Sequence, residues 1–360
     1  MSLKRLIELD SLRGIAAMSV VFFHTTSCFD GITIKYLIGP IFGSLPVVIF
    51  FVLSGFVLSN SLIRNNLSIK QITGFYIRRF FRIYPAVFFA IIVAAILAHY
   101  YIPVTDPSPG LGGLEFIIRK AKSVDSFSQY LEQFLLIHSY LNPPLWTIQA
   151  EFTCSLLLPW AILLATRFHV LEIPIGIISS FLIFKATGSP NWATSGFWFF
   201  SFFIGYLSFK YRHIFNDISS TYLLLILFLC IILTLFVTIL KIQAKLILSL
   251  VGALLISIII TSKLSFLKKL LQQPILLHVG KVSFSLYLLH EPILLLGRSL
   301  FKIYIPGIFQ FESQWIPLTF LFLFVLITSI LTATIFEKCI ETPFNRFGHA
   351  ISNCLKKSYG

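Results

Sequence analysis

The sequence predicts an all-α polytopic membrane protein, built as a bundle of about ten transmembrane helices. Hydrophobic residues are 57% of the 360-residue chain, charged residues are 12%, and the mean hydropathy is +0.90. Soluble domains contain about 25% charged residues, and a single core in a chain of this size cannot bury so much apolar surface. In addition, many apolar runs approach the ~20 residues that a helix needs to span a bilayer.

The apolar runs give ten expected spans in chain order. The first follows Lys4 and Arg5, lacks a small-residue cleavage site and carries polar groups, so we expect a helix of the mature protein and not a signal peptide. The predicted spans are 10–28, 45–62, 84–102, 145–166, 172–187, 192–209, 221–240, 245–262, 283–301 and 316–336.

The net charge of +14 follows a topological pattern, which argues against nucleic acid binding. If the N-terminus is cytoplasmic, the segments on the inner side hold 19 of the 28 Lys and Arg residues. Positive residues favour the cytoplasmic side of a membrane. We therefore expect a multi-pass protein of the inner or plasma membrane with both termini in the cytoplasm.

The expected domain organisation is simple. A transmembrane domain covers 1–345, and a short cytoplasmic tail covers 346–360. The longest outer connection, 103–144, is rich in proline and glycine over its first part. Connections of this length are often functional, although a solvated surface loop is an equal alternative.

Disulfide and metal sites have little support in the sequence. The five cysteines show no CxxC pair, and the eight histidines are scattered, so no metal site is predicted. The motifs of soluble zinc peptidases, P-loop enzymes and serine hydrolases are also missing.

Ionisable residues inside the first span need a reason, because they are costly in a membrane. Arg13 and His24 are eleven residues apart, which places them on one helix face about 16 Å apart along the axis. Asp10 lies one turn before Arg13 and can neutralise it. An interfacial ion pair and a hydrogen-bonded core histidine are the plain alternative.

Two arginines precede the third span. Arg79 and Arg82 have the i,i+3 spacing of a helix face, so both can contact one ligand, and guanidinium groups suit phosphate oxygens. The alternative is a positive anchor at the inner interface, with side chains that reach the head groups.

Two later spans add further polar side chains. Trp146 and Glu151 open the fourth span, and Glu151 is expected at a depth similar to that of His24, which would be a natural partner. Tyr287 and His290 share a face of the ninth span, where His290 either positions substrate or bonds to a neighbouring helix. Ser54 and Gly55 form a small pair in the second span, which favours close helix packing.

Five segments together resemble the acyltransferase-3 family of integral membrane acyltransferases. Each is weak alone, but they occur in the family's order and cover nearly the whole chain. The strongest is the Arg, ten residues, His signature of Arg13 and His24. The segments are LDSLRGIAAMSVVFFH, FFVLSGF, RRFFRIYP, PLWTIQAEF and SFSLYLLHEP.

The resemblance implies transfer of an acyl group, commonly acetyl, from cytoplasmic acyl-CoA to a hydroxyl of an extracytoplasmic or lipid-linked glycan. Acyl-CoA is then a co-substrate, and no tightly bound cofactor is expected. The expected roles are catalysis by His24 and Glu151, acyl-CoA binding by Arg13, Arg79 and Arg82, and substrate positioning by Asp10, Ser54, Trp146, Tyr287 and His290.

Two mechanisms fit these residues. His24 either acts as general base on the acceptor hydroxyl, which is our preferred hypothesis, or is itself acylated and passes the group on. The alternative function is a proton-coupled transporter or flippase of a sugar-containing or small acidic substrate, because buried His, Glu and Arg also mark proton pathways. Binding of CoA discriminates the two, since a transporter has no need of it.

The charge asymmetry predicts the topology. A single cysteine placed within 103–144, in a background without the five native cysteines, should react with a membrane-impermeant thiol reagent in intact cells. A cysteine placed within 346–360 should react only after permeabilisation. The reverse pattern would contradict the predicted orientation.

Overall fold

The chain folds as helices throughout the part that the computed structural model describes. This part comprises residues 6–29, 39–64, 67–101, 121, 123–186, 195–216, 218–239, 245–261, 264–311 and 313–357, and it contains no strand. Much of the predicted outer loop, 102–120, lies outside the described residues.

Thirteen α-helices are numbered here in chain order within the described residues. Short 3₁₀ or π segments flank several of them, and a π segment, Glu337–Glu341, joins the last two. The helices are α1 Ile7–Thr26, α2 Leu45–Arg64, α3 Ile69–Tyr101, α4 Phe127–Phe134, α5 Leu145–Arg167, α6 Glu172–Ala186, α7 Ser195–Lys210, α8 Ser220–Ile239, α9 Lys245–Thr261, α10 Ser265–Leu271, α11 Pro274–Tyr304, α12 Trp315–Phe336 and α13 Thr342–Lys357.

A helix lies at each of the ten predicted spans, but fewer have the properties of a full membrane crossing. Within the described residues, five helical segments are long and apolar enough, or six if Leu246–Thr261 and Ser265–Leu271 form one span. The segments His169–Leu182 and Ser220–Phe236 are apolar but shorter. The five are Pro40–Ile63, Ile69–His99, Leu145–Arg167, Pro274–Tyr304 and Trp315–Leu355. The protein is therefore a helical multi-pass membrane protein, and the count of ten spans stays a prediction.

Two predicted helix starts were wrong. The third span was expected to begin at 84, after a connector, whereas α3 begins at Ile69 and runs through Pro85. Neighbouring helices allow a proline inside a membrane helix, so Pro85 does not end it. The ninth span was expected from 283, whereas α11 begins at Pro274. Arg79 and Arg82 therefore lie within α3 and not before it.

The C-terminal segment predicted as a tail is helical through Lys357 and packs along the first half of α3. The Arg78 guanidinium donates a hydrogen bond to the hydroxyl of Ser352. The rings of Phe81 and Phe347 meet edge to face, with centroids 5.1 Å apart. α13 thus forms one wall of the bundle at the end that carries the α3 arginines.

The closest helix crossing that bears on the site joins α1 to α11. A methyl group on Gly14 would lie 2.7 Å from the backbone nitrogen of Gly280, and one on Gly280 would lie 2.3 Å from the carbonyl oxygen of Asp10. Small residues let membrane helices approach to backbone contact. The predicted close packing at Gly55 is also present, since a methyl group there would lie 2.0 Å from the carbonyl oxygen of Phe202 on α7.

The close α1–α11 crossing predicts that a single methyl group added at Gly280 lowers the stability of the fold. Gly280→Ala should destabilise the protein by about 1–3 kcal/mol, because overpacking against backbone cannot be relieved by a side-chain rotation. The measurement is the thermal unfolding midpoint of detergent-purified protein. Gly307→Ala is the matched control, since a methyl group there meets nothing within 4 Å. Equal midpoints for the two variants would contradict the prediction.

Candidate active site

The centre of the candidate site is a hydrogen-bonded pair of side chains that joins α1 to α11. The Nδ1 atom of His24 lies 2.6 Å from Oε2 of Glu291. The Glu291 side chain is 2% exposed, whereas that of His24 is 28% exposed. The carboxylate is therefore held inside the bundle, and the imidazole keeps an accessible edge.

His290 completes a three-residue cluster, called the His–His–Glu cluster below. Its Nε2 atom lies 3.2 Å from Nδ1 of His24, although the two residues are 266 positions apart in the chain. Its Nδ1 atom lies 2.8 Å from the carbonyl oxygen of Tyr287, which can only accept a hydrogen bond. Nδ1 of His290 therefore carries the proton and Nε2 carries a lone pair. Two histidines that are far apart in the sequence are therefore adjacent in the structure.

The neighbours of His24 fix its tautomer. Both atoms that face its Nδ1, the Glu291 carboxylate oxygen and the His290 nitrogen, are acceptors. A neutral His24 ring therefore places its proton on Nδ1 and keeps the lone pair on Nε2. A carboxylate that binds one ring nitrogen of histidine and leaves the other as a base is the arrangement of hydrolytic triads.

Glu151 contacts other partners than the one expected. Its Oε1 atom accepts a hydrogen bond from the Arg79 guanidinium at 2.8 Å and one from the Ser54 hydroxyl at 3.0 Å. The expected pairing with His24 was wrong, because α3 presents a buried arginine to the same carboxylate. The carboxylate beside His24 is Glu291.

A cavity of about 660 Å³ lies next to these residues, at the end of the bundle where α1, α3 and α11 begin. Its charged lining is mixed, with more basic than acidic side chains. The basic residues are Arg13, Arg78, Arg79, Arg82, Lys281 and His349, and the acidic residues are Asp10, Glu151, Glu337 and Glu341.

The three arginines predicted to bind acyl-CoA all line this cavity, but they differ in their partners. Arg13 lies 3.7 Å from Asp10, as expected from their spacing, and Arg79 is buried against Glu151. Arg82 makes no hydrogen bond and no ion pair within 4 Å among the described residues, and its charge interacts with Glu151 and Glu341 only at longer range. The Arg82 guanidinium is therefore the one with most capacity for an anionic ligand.

The cavity does not reach the His–His–Glu cluster, because the Tyr287 side chain lies between them. None of its three members lines the cavity, but Tyr287 does, and the Tyr287 and His290 rings are 5.5 Å apart at their centroids. The Tyr287 hydroxyl accepts a hydrogen bond from Thr147 at 2.9 Å. Tyr287 thus forms the boundary between the arginine-rich cavity and His24.

The remaining predicted site residues lie in the cavity, in the cluster or outside both. Asp10, Ser54 and Tyr287 line the cavity, and His290 lies in the cluster, whereas Trp146 packs its ring 5.4 Å from Trp198 and does not line the cavity.

Sequence reasoning missed Glu291. A signal was present, because a carboxylate within an apolar helix needs a partner.

Comparisons with known proteins identify the family of the chain. The family model described as an acyltransferase domain, that of the acyltransferase-3 family, matches residues 6–336. An O-acetyl transferase of Shigella phage Sf6 is 32% identical over 154 residues, which are 41% of this chain and 43% of that protein. The peptidoglycan O-acetyltransferase OatA of Listeria monocytogenes serovar 1/2a is 34% identical over 107 residues, which are 28% of this chain and 15% of that protein.

Nodulation protein 10 of Rhizobium leguminosarum bv. viciae is 28% identical over 224 residues, which are 57% of this chain and 59% of that protein. In each case the match covers less than two thirds of the relative's length. No solved structure matches the chain. Because the family model covers most of the chain, including both helices of the His–His–Glu cluster, the protein belongs to the acyltransferase-3 family.

Proposed function

We propose that the protein transfers an acetyl group from cytoplasmic acyl-CoA to a hydroxyl of an extracytoplasmic or lipid-linked glycan. The enzyme works in the inner or plasma membrane with both termini in the cytoplasm. The observation that carries the proposal is the Glu291–His24 pair beside an arginine-lined cavity. The phage and Listeria relatives, whose names state O-acetyl transfer and, for Listeria, a peptidoglycan acceptor, support the reaction class.

The donor's phosphates bind at the arginine end of the cavity. Arg82 and Arg13 both line the cavity there, and guanidinium groups bind phosphate oxygens in two-pronged contacts. Arg79 is engaged with Glu151, so its role is to hold that carboxylate and shape the wall beside Arg82. The i,i+3 spacing alone predicted the same role for Arg79 and Arg82, whereas we propose phosphate binding for Arg82 and a structural role for Arg79.

The acyl end of the donor points from the arginines toward His24. Arg13 and His24 lie on one face of α1, about 16 Å apart along the axis, so a flexible thioester arm bound at Arg13 extends along this helix. The arm passes Tyr287, the boundary between cavity and cluster. His24 then acts between the donor on one side and the acceptor on the other.

The chemical step is general-base catalysis by Nε2 of His24. Nε2 removes the acceptor hydroxyl proton as that oxygen forms a bond to the thioester carbonyl carbon. The carbon–sulfur bond then breaks, and the CoA thiolate leaves with the proton that His24 has taken. Glu291, 2.6 Å from Nδ1, stabilises the transient imidazolium and holds the ring in its reactive tautomer.

The proposed mechanism predicts that both members of the His24–Glu291 pair are needed for acetyl transfer. His24→Ala should reduce acetyl transfer by about 10²–10⁴-fold, the typical contribution of a general base. Glu291→Gln should also reduce transfer strongly, because an amide does not balance the imidazolium charge. The measurement is incorporation of labelled acetyl from acetyl-CoA into the glycan fraction of membranes, at equal enzyme abundance.

The control is His278→Ala, which removes an exposed histidine from the same helix and should leave transfer unchanged. Full activity of Glu291→Gln would refute the pairing of Glu291 with His24 as a catalytic unit. An acetyl adduct trapped on His24 would replace the base mechanism with a two-step transfer through the imidazole.

A further prediction concerns the donor site. Arg82→Ala should weaken CoA binding by roughly tenfold to a hundredfold, because one charged hydrogen bond contributes about 1.5–3 kcal/mol. Arg82→Lys should rescue only in part, since lysine cannot form the two-pronged contact. CoA affinity is measured from the thermal stabilisation that CoA gives the purified protein.

Arg79→Ala should act differently, by leaving the Glu151 carboxylate without its guanidinium. It should lower stability by up to about 3–5 kcal/mol even without CoA, and Glu151→Ala should partly restore it. Arg346→Ala removes an exposed charge from α13 outside the cavity and serves as the control. Wild-type CoA affinity in Arg82→Ala would contradict the donor assignment.

A further inference from the structure

We infer that the His–His–Glu cluster is a binding site for a divalent transition-metal cation, with zinc as the best fit, and that an ion bound there inactivates His24. The inference adds a ligand that acyl transfer does not require. Its second half rests on the proposed role of His24 as base, whereas metal binding itself does not.

The separations of the three ligand atoms fit a cation. Nδ1 of His24, Nε2 of His290 and Oε2 of Glu291 are 2.6, 3.2 and 3.8 Å apart in pairs. Atoms with these separations lie on a circle of about 1.9 Å radius, so a cation at the ~2.0–2.2 Å bond length of zinc to nitrogen or oxygen sits within about 1.2 Å of their plane. One ion can therefore contact all three atoms at normal distances.

The protonation states also suit a metal. The hydrogen bond from Nδ1 of His290 to the Tyr287 carbonyl leaves Nε2 with its lone pair toward the cluster. Such an outer-shell bond is what orients histidine ligands in metal sites. In the metal-free protein, the position between the three atoms holds the proton of His24 Nδ1. Metal binding replaces this proton with a cation.

Charge balance favours the same occupant. The Glu291 carboxylate is buried, and its electrostatic partners are the two histidines, neither of which is a permanent cation. A buried carboxylate is most stable beside a full positive charge. Two imidazoles and one carboxylate select zinc and similar metals over magnesium or calcium, which prefer oxygen ligands alone.

The cluster also leaves one coordination position open. The His24 side chain is 28% exposed, so the cluster is not fully enclosed by protein. Three protein ligands leave the fourth position of tetrahedral zinc to water.

Zinc on Nδ1 removes the base. The Nδ1 proton passes to water, and the neutral ring takes a proton on Nε2, so that Nε2 becomes a donor without a lone pair. The His24 ring then cannot accept the acceptor hydroxyl proton. Zinc occupancy and acyl transfer are therefore mutually exclusive.

The test uses the purified full chain with Cys339→Ser and Cys354→Ser, which remove two exposed thiols. After removal of metal by a chelator, zinc binding is measured by equilibrium dialysis and metal analysis, with magnesium in parallel. We expect one zinc per chain and no magnesium. His290→Ala and Glu291→Gln should each weaken zinc binding by at least about 10-fold, because changes even outside the ligands cost that much. His278→Ala, the control on the same helix, should bind zinc normally.

Acetyl transfer is measured on the same samples. Loss of transfer in proportion to bound zinc, with recovery after chelation, supports the complete inference. Absence of stoichiometric zinc, or wild-type affinity in both ligand variants, overturns the metal site and leaves the proposed acyl transfer intact. Stoichiometric zinc with undiminished transfer overturns the inactivation and also contradicts His24 as the base.

Discussion

A buried carboxylate inside an apolar helix is the constraint on which the centre of this protein depends. Glu291 lies within α11 and is almost inaccessible, so the free energy of its burial must be offset by a partner at hydrogen-bond distance. His24 is that partner, and it reaches Glu291 because Gly14 and Gly280 let the two backbones touch further along the crossing. The crossing of α1 and α11 therefore determines both the close backbone packing and the contact between Glu291 and His24.

A second pair, Arg79 with Glu151, gives the two carboxylates different partners. Glu151 binds an arginine, whereas Glu291 binds His24. Because α3 supplies a guanidinium to Glu151, that acid is neutralised at the cavity wall and is removed from the neighbourhood of the imidazole. Arg82, one turn further along α3, is left facing the cavity without an ion-pair partner among the described residues. One arginine therefore stabilises the fold, and its neighbour is available to a ligand.

The cavity and the His–His–Glu cluster are adjacent but separate. Tyr287 lines the cavity, and its backbone carbonyl binds His290, so one residue contacts both compartments. In the proposed reaction, the donor's acyl end passes the tyrosine ring to reach the imidazole of His24. A reaction that joins a cytoplasmic donor to an acceptor on the other side would need such a boundary, since an open path would also admit water and ions.

From the amino-acid sequence alone we could predict the helical membrane class, a helix at each of ten apolar runs and the shared face of Arg13 and His24, because apolar runs and helical spacing are local properties. The starts of two of these helices and the short helices between the runs depended on packing. Of the positions predicted for the site, Arg82 and Tyr287 line the cavity and His290 lies in the His–His–Glu cluster. The tertiary structure alone decided which carboxylate meets which cation. Glu151 and Glu291 are both acids within apolar helices, and only the packing of α3 and α1 against them distinguishes the neutralised acid from the partner of His24. Such pairings join residues far apart in the chain, where spacing carries no information.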